Sequence, residues 1–200
     1  MREMRLVLAS ASAVRAQLLG NAGLTITVAP ARIDEDAIRA TLQAEAATPR
    51  DIADALAEYK ARKISAHDPE ALVIGCDQVL DFNGTVLSKP LSPDDAIRQL
   101  SALAGQQHQL FSAVVLYQGG QPVWRHIGAA TLTMRPLSPT YITDYIARNW
   151  ESIRHAVGCY KLEEEGVRLL SAIEGDYFTV LGLPLFPLLD YLCLRGVIST

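Results

Sequence analysis

The stretch that most constrains this chain runs from Ala71 to Leu80: Ala-Leu-Val-Ile-Gly-Cys-Asp-Gln-Val-Leu. A short apolar run bounded by turn residues reads as a buried central strand. A single acid, Asp77, follows Leu72-Val73-Ile74-Gly75-Cys76 and reads as standing at the end of the buried strand. A carboxylate in such a run is costly to bury unless it is paired or holds a metal. Asn83-Gly84 then marks a tight hairpin turn. After it, Ser88-Lys89-Pro90 returns a lysine. The segment can therefore set an anionic and a cationic group on one cleft wall, and chemistry on a metal-bound phosphate needs both. A hydrogen-bonded turn acid is the other reading of Asp77, and the local residues leave the two open.

Around this run, strand-like and helix-like segments alternate. Arg5 to Ala9 reads as a buried strand, with Ser12 placed to cap a helix that carries Val14, Leu18 and Leu19 on one face. Thr25 to Val28 is β-branched and strand-like. Ile52 to Ala66 is an amphipathic helix. Ser92 opens a helix with proline in its first turn and Gly105 past its end. Leu110–Tyr117 and Trp124–Arg135 read as strands about a Gly119-Gly120 turn. Ser138 caps a further helix, Val167–Ile173 fits either strand or helix, and Leu183–Arg195 closes the chain as a helix. Ile33-Asp34-Glu35-Asp36 reads as an acidic connection. The alternation predicts an α/β architecture with a mixed sheet, and the 200 residues suit one domain spanning 1–200.

Composition narrows the partners. The formal charge is −4 and no dense Lys/Arg block appears, so no nucleic-acid surface is expected. A small anionic substrate needs only a local cationic pocket. Cys76, Cys159 and Cys193 form no CxxC pair or zinc pattern and fit a reducing cytoplasm. The apolar run after Arg2 and Arg5 is too short for a signal peptide, and prolines and Asp190 break the one near the carboxy terminus. No membrane span is expected.

Several segments carry residues suited to phosphate chemistry. Ser10-Ala11-Ser12-Ala13-Val14-Arg15 sits where a strand enters a helix, where free backbone N–H groups attract anions. Arg15 could neutralise a phosphate there, and an ordinary serine cap with a solvent-facing arginine is the alternative. Asp34-Glu35-Asp36 offers hard oxygen ligands for a cation such as Mg²⁺, or is an exposed acidic loop. Lys60 and Lys63 lie within one helical turn and could share a face, either towards a cleft or in solvent. Cys76 has no partner histidine and reads as a small apolar filler.

Taken together these segments resemble the Maf family of nucleoside triphosphate pyrophosphatases. The resemblance spans nearly the whole chain. It is carried by Leu8-Ala9-Ser10-Ala11-Ser12 with Arg15, Asp34-Glu35, Leu56-Ala57 with Lys60-Ala61, Gly75-Cys76-Asp77-Gln78-Val79 and Lys89-Pro90. It continues in Leu103-Ala104-Gly105 with His108, Gly158 with Tyr160, and Val180-Leu181-Gly182-Leu183-Pro184-Leu185. It implies a two-lobed fold with a twisted mixed sheet and an intervening cleft. It implies hydrolysis between the α- and β-phosphates with a divalent cation, Mg²⁺ or Mn²⁺. By position, Ser10 and Arg15 bind phosphate and Glu35 helps hold the cation. Asp77 serves as general base or metal ligand, and Lys60 and Lys89 stabilise triphosphate charge. The resemblance is compatible with a homodimer, on which no residue pattern bears.

The family acts on dTTP and UTP in one branch and resembles 7-methyl-GTP pyrophosphatases in another. The pyrimidine branch usually has threonine after the catalytic acid and glutamine in the late Gly…Tyr segment. Here those positions are Gln78 and Glu163, as in the 7-methyl-GTP branch. A carboxylate only accepts hydrogen bonds, which suits the adjacent N–H donors of guanine and the positive charge of its methylated form. The chain departs from many relatives in having Ala13 for proline and Ala16 for a second arginine, and from the 7-methyl-GTP branch in having Val14 for tryptophan. A dTTP/UTP pyrophosphatase is the alternative substrate reading. A nucleotide-binding cell-division regulator with little turnover is the alternative class.

Overall fold

In the computed structural model, which describes residues 4–199, the sheet begins with parallel strands. Arg2 of the amino-terminal reading lies outside those residues. β1 (Leu6–Leu8) pairs in parallel with β2 (Ile26–Val28) on one side and with β3 (Leu72–Phe82) on the other. β3 turns at Asn83-Gly84 into β4 (Thr85–Leu87), and β5 (Gln107–Gln118), β6 (Gln121–Met134) and β7 (Leu170–Glu174) add antiparallel strands. The order is β2-β1-β3-β5-β6-β7, with β4 paired to β3. Such a mixed sheet is what the alternating segments predict.

The helices start where side-chain caps allow. Ser12 accepts from Arg15 N to begin α1 (Ala13–Asn21). Asp34 accepts from Ala37 N to begin α2 (Glu35–Ala44). The acidic stretch is therefore not a connection but a helix start, because free N–H groups there favour carboxylates. Thr48, Ser92 and Ser138, each followed by proline, cap α3 (Pro49–His67), α4 (Pro93–Leu103) and α5 (Pro139–Ile153). The ambiguous stretch near Val167 resolves into a 3₁₀ turn over Glu165–Leu169 and then β7. A one-turn helix, α6 (Tyr177–Val180), precedes α7 (Leu185–Leu194). Among the described residues no helix is long and apolar enough to cross a membrane.

The period-2 alternation of β3 divides the core. Leu72, Ile74 and Cys76 pack with Leu18 and Leu19 of α1 and Leu188 and Leu192 of α7. Val73 and Val79 pack on the opposite face against Ile52, Leu56 and Ala57 of α3. Further along, Leu80 joins a separate cluster with Leu100 of α4 and Tyr145 of α5. Between these lobes a cleft of about 970 Å³ opens. Its floor has a topological cause. β1 pairs with β3 only as far as Ile74, and β4 begins pairing at Leu80, so residues 75–79 have no strand on that edge. Asp77 thus stands within β3 rather than at its end. What ends beside it is β1, which leaves the acid at an open edge.

Candidate active site

Ser10, Arg15, Glu35, Lys60, Asp77, Gln78, Lys89 and Glu163 all line this one cleft. Asp77 and Gln78 point to opposite faces of β3. Asp77 meets α3, and Gln78 meets α6.

Lys60 falls on the buried face of α3 with Ala53, Ala57 and Ala61. Small residues on that face let the helix come close to β3, and Gly75 completes the fit. A Cβ on Gly75 would collide with the Ala57 carbonyl oxygen and lie 2.7 Å from Ala61 Cβ. The close approach carries the Lys60 ammonium to 2.6 Å from Asp77 Oδ1 and 2.8 Å from Glu35 Oε1. Lys63 does not share this face; it is exposed and donates to the Arg32 carbonyl. Asp77 Oδ2 is buried with no hydrogen-bond partner among the described residues. Burial pushes the Glu35 carboxyl up, but Lys60, then Lys89 and Arg39, outweigh it and hold the group below its ordinary range.

The serine loop is built around Arg15. This arginine is buried; its Nε donates to Gly182 O at 2.7 Å, and its Nη1 donates to Ser10 Oγ at 3.2 Å and Cys76 O at 3.1 Å. Cys76 O lies on the open edge of β3, so Arg15 replaces a missing strand partner and ties α1, β3 and the loop before α7 together. Only Nη2 lacks a protein acceptor among the described residues. Gln78 Nε2 donates to Ser112 Oγ at 2.9 Å, Thr179 O at 3.2 Å and Val180 O at 2.9 Å, which anchors α6 to the sheet. Lys89 and Glu163 are exposed at the cleft.

The sequence reading did not select Arg39, Arg154, His155 and Lys161, which also line the cleft. Arg39 lies four residues after Glu35, the spacing that shares a helix face once α2 is recognised. Lys161 is held by Ser152 Oγ at 2.6 Å and Glu164 Oε1 at 3.2 Å. Arg15, Arg39, Lys60, Lys89, Arg154 and Lys161 face Asp34, Glu35, Asp36, Asp77 and Glu163, so the lining is slightly cationic in a chain of net charge −4. That inversion suits an anionic ligand.

His108 and Cys76 stand behind the lining, and Tyr160 forms part of it. Tyr160 is 5% exposed and packs in the α4–α5 core, its hydroxyl 2.7 Å from His108 Nε2. Burial pushes the His108 imidazole down to about 4, so it is neutral at pH 7. Burial pushes the Cys76 thiol up to about 11, which leaves no thiolate nucleophile at neutral pH.

The donor set fits a hard divalent cation. Asp77 Oδ2 is buried and unpartnered, and the Glu35 carboxylate is joined to Asp77 through Lys60. Among the described residues no group of three or more His, Cys, Asp or Glu could hold a metal. Mg²⁺ commonly takes one or two carboxylates and completes its shell with water and substrate phosphates.

The family profile described as Maf-like protein matches residues 5–194. The chain is 62% identical to the nucleoside triphosphate pyrophosphatase of Ruegeria pomeroyi over 98% of each chain. It is 61% identical to that of Roseobacter denitrificans over 96% of each. It is 46% identical to the 7-methyl-GTP pyrophosphatase of Mesorhizobium japonicum over 98% of each. With the match running from β1 to the end of α7, through every strand that borders the cleft, the chain belongs to the Maf family.

Proposed function

We infer that this chain, a nucleoside triphosphate pyrophosphatase of the Maf family, cleaves the α–β anhydride of a modified nucleotide, 7-methyl-GTP first. The products are the nucleoside monophosphate and pyrophosphate. The observation that carries the reaction is the geometry of Asp77. Lys60 fixes Oδ1, and Oδ2 remains an acceptor without a partner at the cleft floor. In our reading Oδ2 orients a water and takes its proton as the oxygen adds to phosphorus. The bond to the bridging oxygen breaks, and pyrophosphate leaves with the electron pair. Lys60 and Lys89 balance the charge that grows on the phosphate oxygens. A divalent cation, Mg²⁺ or Mn²⁺, held by Glu35 and Asp77 would supply further charge neutralisation at those oxygens. Ser10 and Arg15 shape the loop that receives the phosphates.

The base assignment rests on Glu163, whose carboxylate lines the same cleft. A relative named 7-methyl-GTP pyrophosphatase at 46% identity supports it. Gln78 contributes indirectly, by holding α6 at the cleft wall. The test is pyrophosphate release from 7-methyl-GTP, GTP, dTTP and UTP by the wild type and Glu163→Gln. The wild type should favour 7-methyl-GTP, and the substitution should lower that preference about tenfold, the value of one charge-assisted hydrogen bond. Identical substrate ratios in the two proteins would reject Glu163 as the base reader. A wild-type preference for dTTP and UTP would favour the pyrimidine reading instead.

A further inference from the structure

Arginine donor counts in the cleft point away from Arg15 and towards Arg39. Arg15 Nε and Nη1 are consumed by Gly182 O, Ser10 Oγ and Cys76 O. Arg39 uses only Nη1, which donates to Asp36 Oδ1 at 2.8 Å and to Ser88 Oγ at 3.4 Å. Its Nε and Nη2 have no protein acceptor among the described residues, yet its side chain is only 16% exposed. That edge is not sealed from solvent, so both donors are open to a ligand in the cleft that Arg39 lines. The planar fork matches two oxygens of a phosphate. Its carboxylate partner, Asp36, is 92% exposed, so that pairing is weak and easily exchanged.

Position gives the direction. Asp77 contacts Lys60, and Lys60 contacts Glu35. Beyond Glu35 come Arg39 and Lys89, with Arg39 tied to Ser88 next to Lys89. Asp77 therefore marks the end where the bond breaks, and Arg39 marks the far end. We propose that Arg39 is a substrate-binding residue that grips the terminal phosphates, and hence the leaving pyrophosphate, with its unmatched Nε–Nη2 edge. This inference rests on the pyrophosphatase reading for its direction.

The test compares wild type, Arg39→Ala, Arg39→Lys and Asp36→Asn in calorimetric titrations with Mg²⁺-pyrophosphate and, separately, a nucleoside monophosphate. Arg39→Ala should weaken pyrophosphate about tenfold and leave the monophosphate within about twofold. Arg39→Lys should fall between, since it keeps the charge but loses the fork. Asp36→Asn should not weaken pyrophosphate, which separates loss of the fork from damage to α2. Unchanged pyrophosphate affinity in Arg39→Ala, or equal losses for both ligands, would overturn the proposal. Pyrophosphate binding that depends on Arg39, in a wild type that releases none from any nucleotide, would sink the reaction and keep the fork. Turnover by a wild type whose pyrophosphate affinity ignores Arg39 would do the reverse.

Discussion

Lys60→Met tests how the cleft tolerates its buried charges. The substitution keeps the length of the side chain and removes only the ammonium. In the wild type the Lys60 side chain is 8% exposed, and that of Asp77 beside it is 7% exposed. Without the ammonium neither oxygen of Asp77 has a partner among the described residues, because Oδ2 already has none there. Breaking one side of a buried ion pair costs about 3–5 kcal/mol. Glu35 adds under about 1 kcal/mol, since it is one-third exposed and solvent screens it. For a chain of this size each kcal/mol moves the thermal midpoint by about 2–4 °C, so a fall of roughly 10 °C is expected. The assay is thermal unfolding by circular dichroism in metal-free buffer at pH 7 and again in acid. The folded Glu35 carboxyl lies below its ordinary range, so its contribution is full above that range and lost as pH falls through the lowered value. The Glu35 share of the variant's deficit should therefore disappear in acid, where that carboxyl is neutral and needs no cation. Added Mg²⁺ should raise the variant's midpoint. A midpoint within about 2 °C of wild type at pH 7 would refute the idea that Lys60 neutralises buried charge.

Two further outcomes follow from the same packing. Gly75→Ala should lose about 1–3 kcal/mol in urea unfolding, because the new Cβ meets the Ala57 carbonyl oxygen. It should also lower kcat, because the α3 turn it displaces carries Lys60; wild-type stability and rate would contradict the close fit. His108 is held neutral with a folded value of about 4 against an ordinary 6.5, so the unfolded chain binds the extra proton between those values. Stability is thus full above pH 6.5 and falls by up to about 3 kcal/mol on acidification towards pH 4. His108→Gln should flatten that slope in denaturant titrations across the range, and an unchanged slope would remove His108 from it.

What the sequence disclosed was local. Ser12, Ser92 and Ser138 announced their helices because capping acts over three residues. The apolar run Leu72–Cys76 of β3 reflected burial on both of its faces. The acids at 34–36 misled because capping carboxylates and loop carboxylates look alike until the following turn is weighed. Missing α2 also hid Arg39. Arg15 was legible as a cation at a helix start but not as a brace, since its acceptors lie 61 and 167 residues away. Likewise the residue types of the Glu35–Lys60–Asp77 set could be named, while their contact depended on how closely α3 packs over Gly75.

The most direct measurement is pyrophosphate release by wild type and Asp77→Asn, across the nucleotide panel with saturating Mg²⁺ or Mn²⁺. Asparagine keeps the shape and an oxygen that can accept from Lys60, but it cannot take a proton from water. Loss of a general base typically costs about 10²–10⁴-fold, so wild type should turn over and kcat should fall by about a thousandfold in the variant. Turnover that survives the substitution would remove Asp77 from the chemistry. Saturable nucleotide binding with no wild-type turnover would instead mark the chain as a nucleotide-binding regulator.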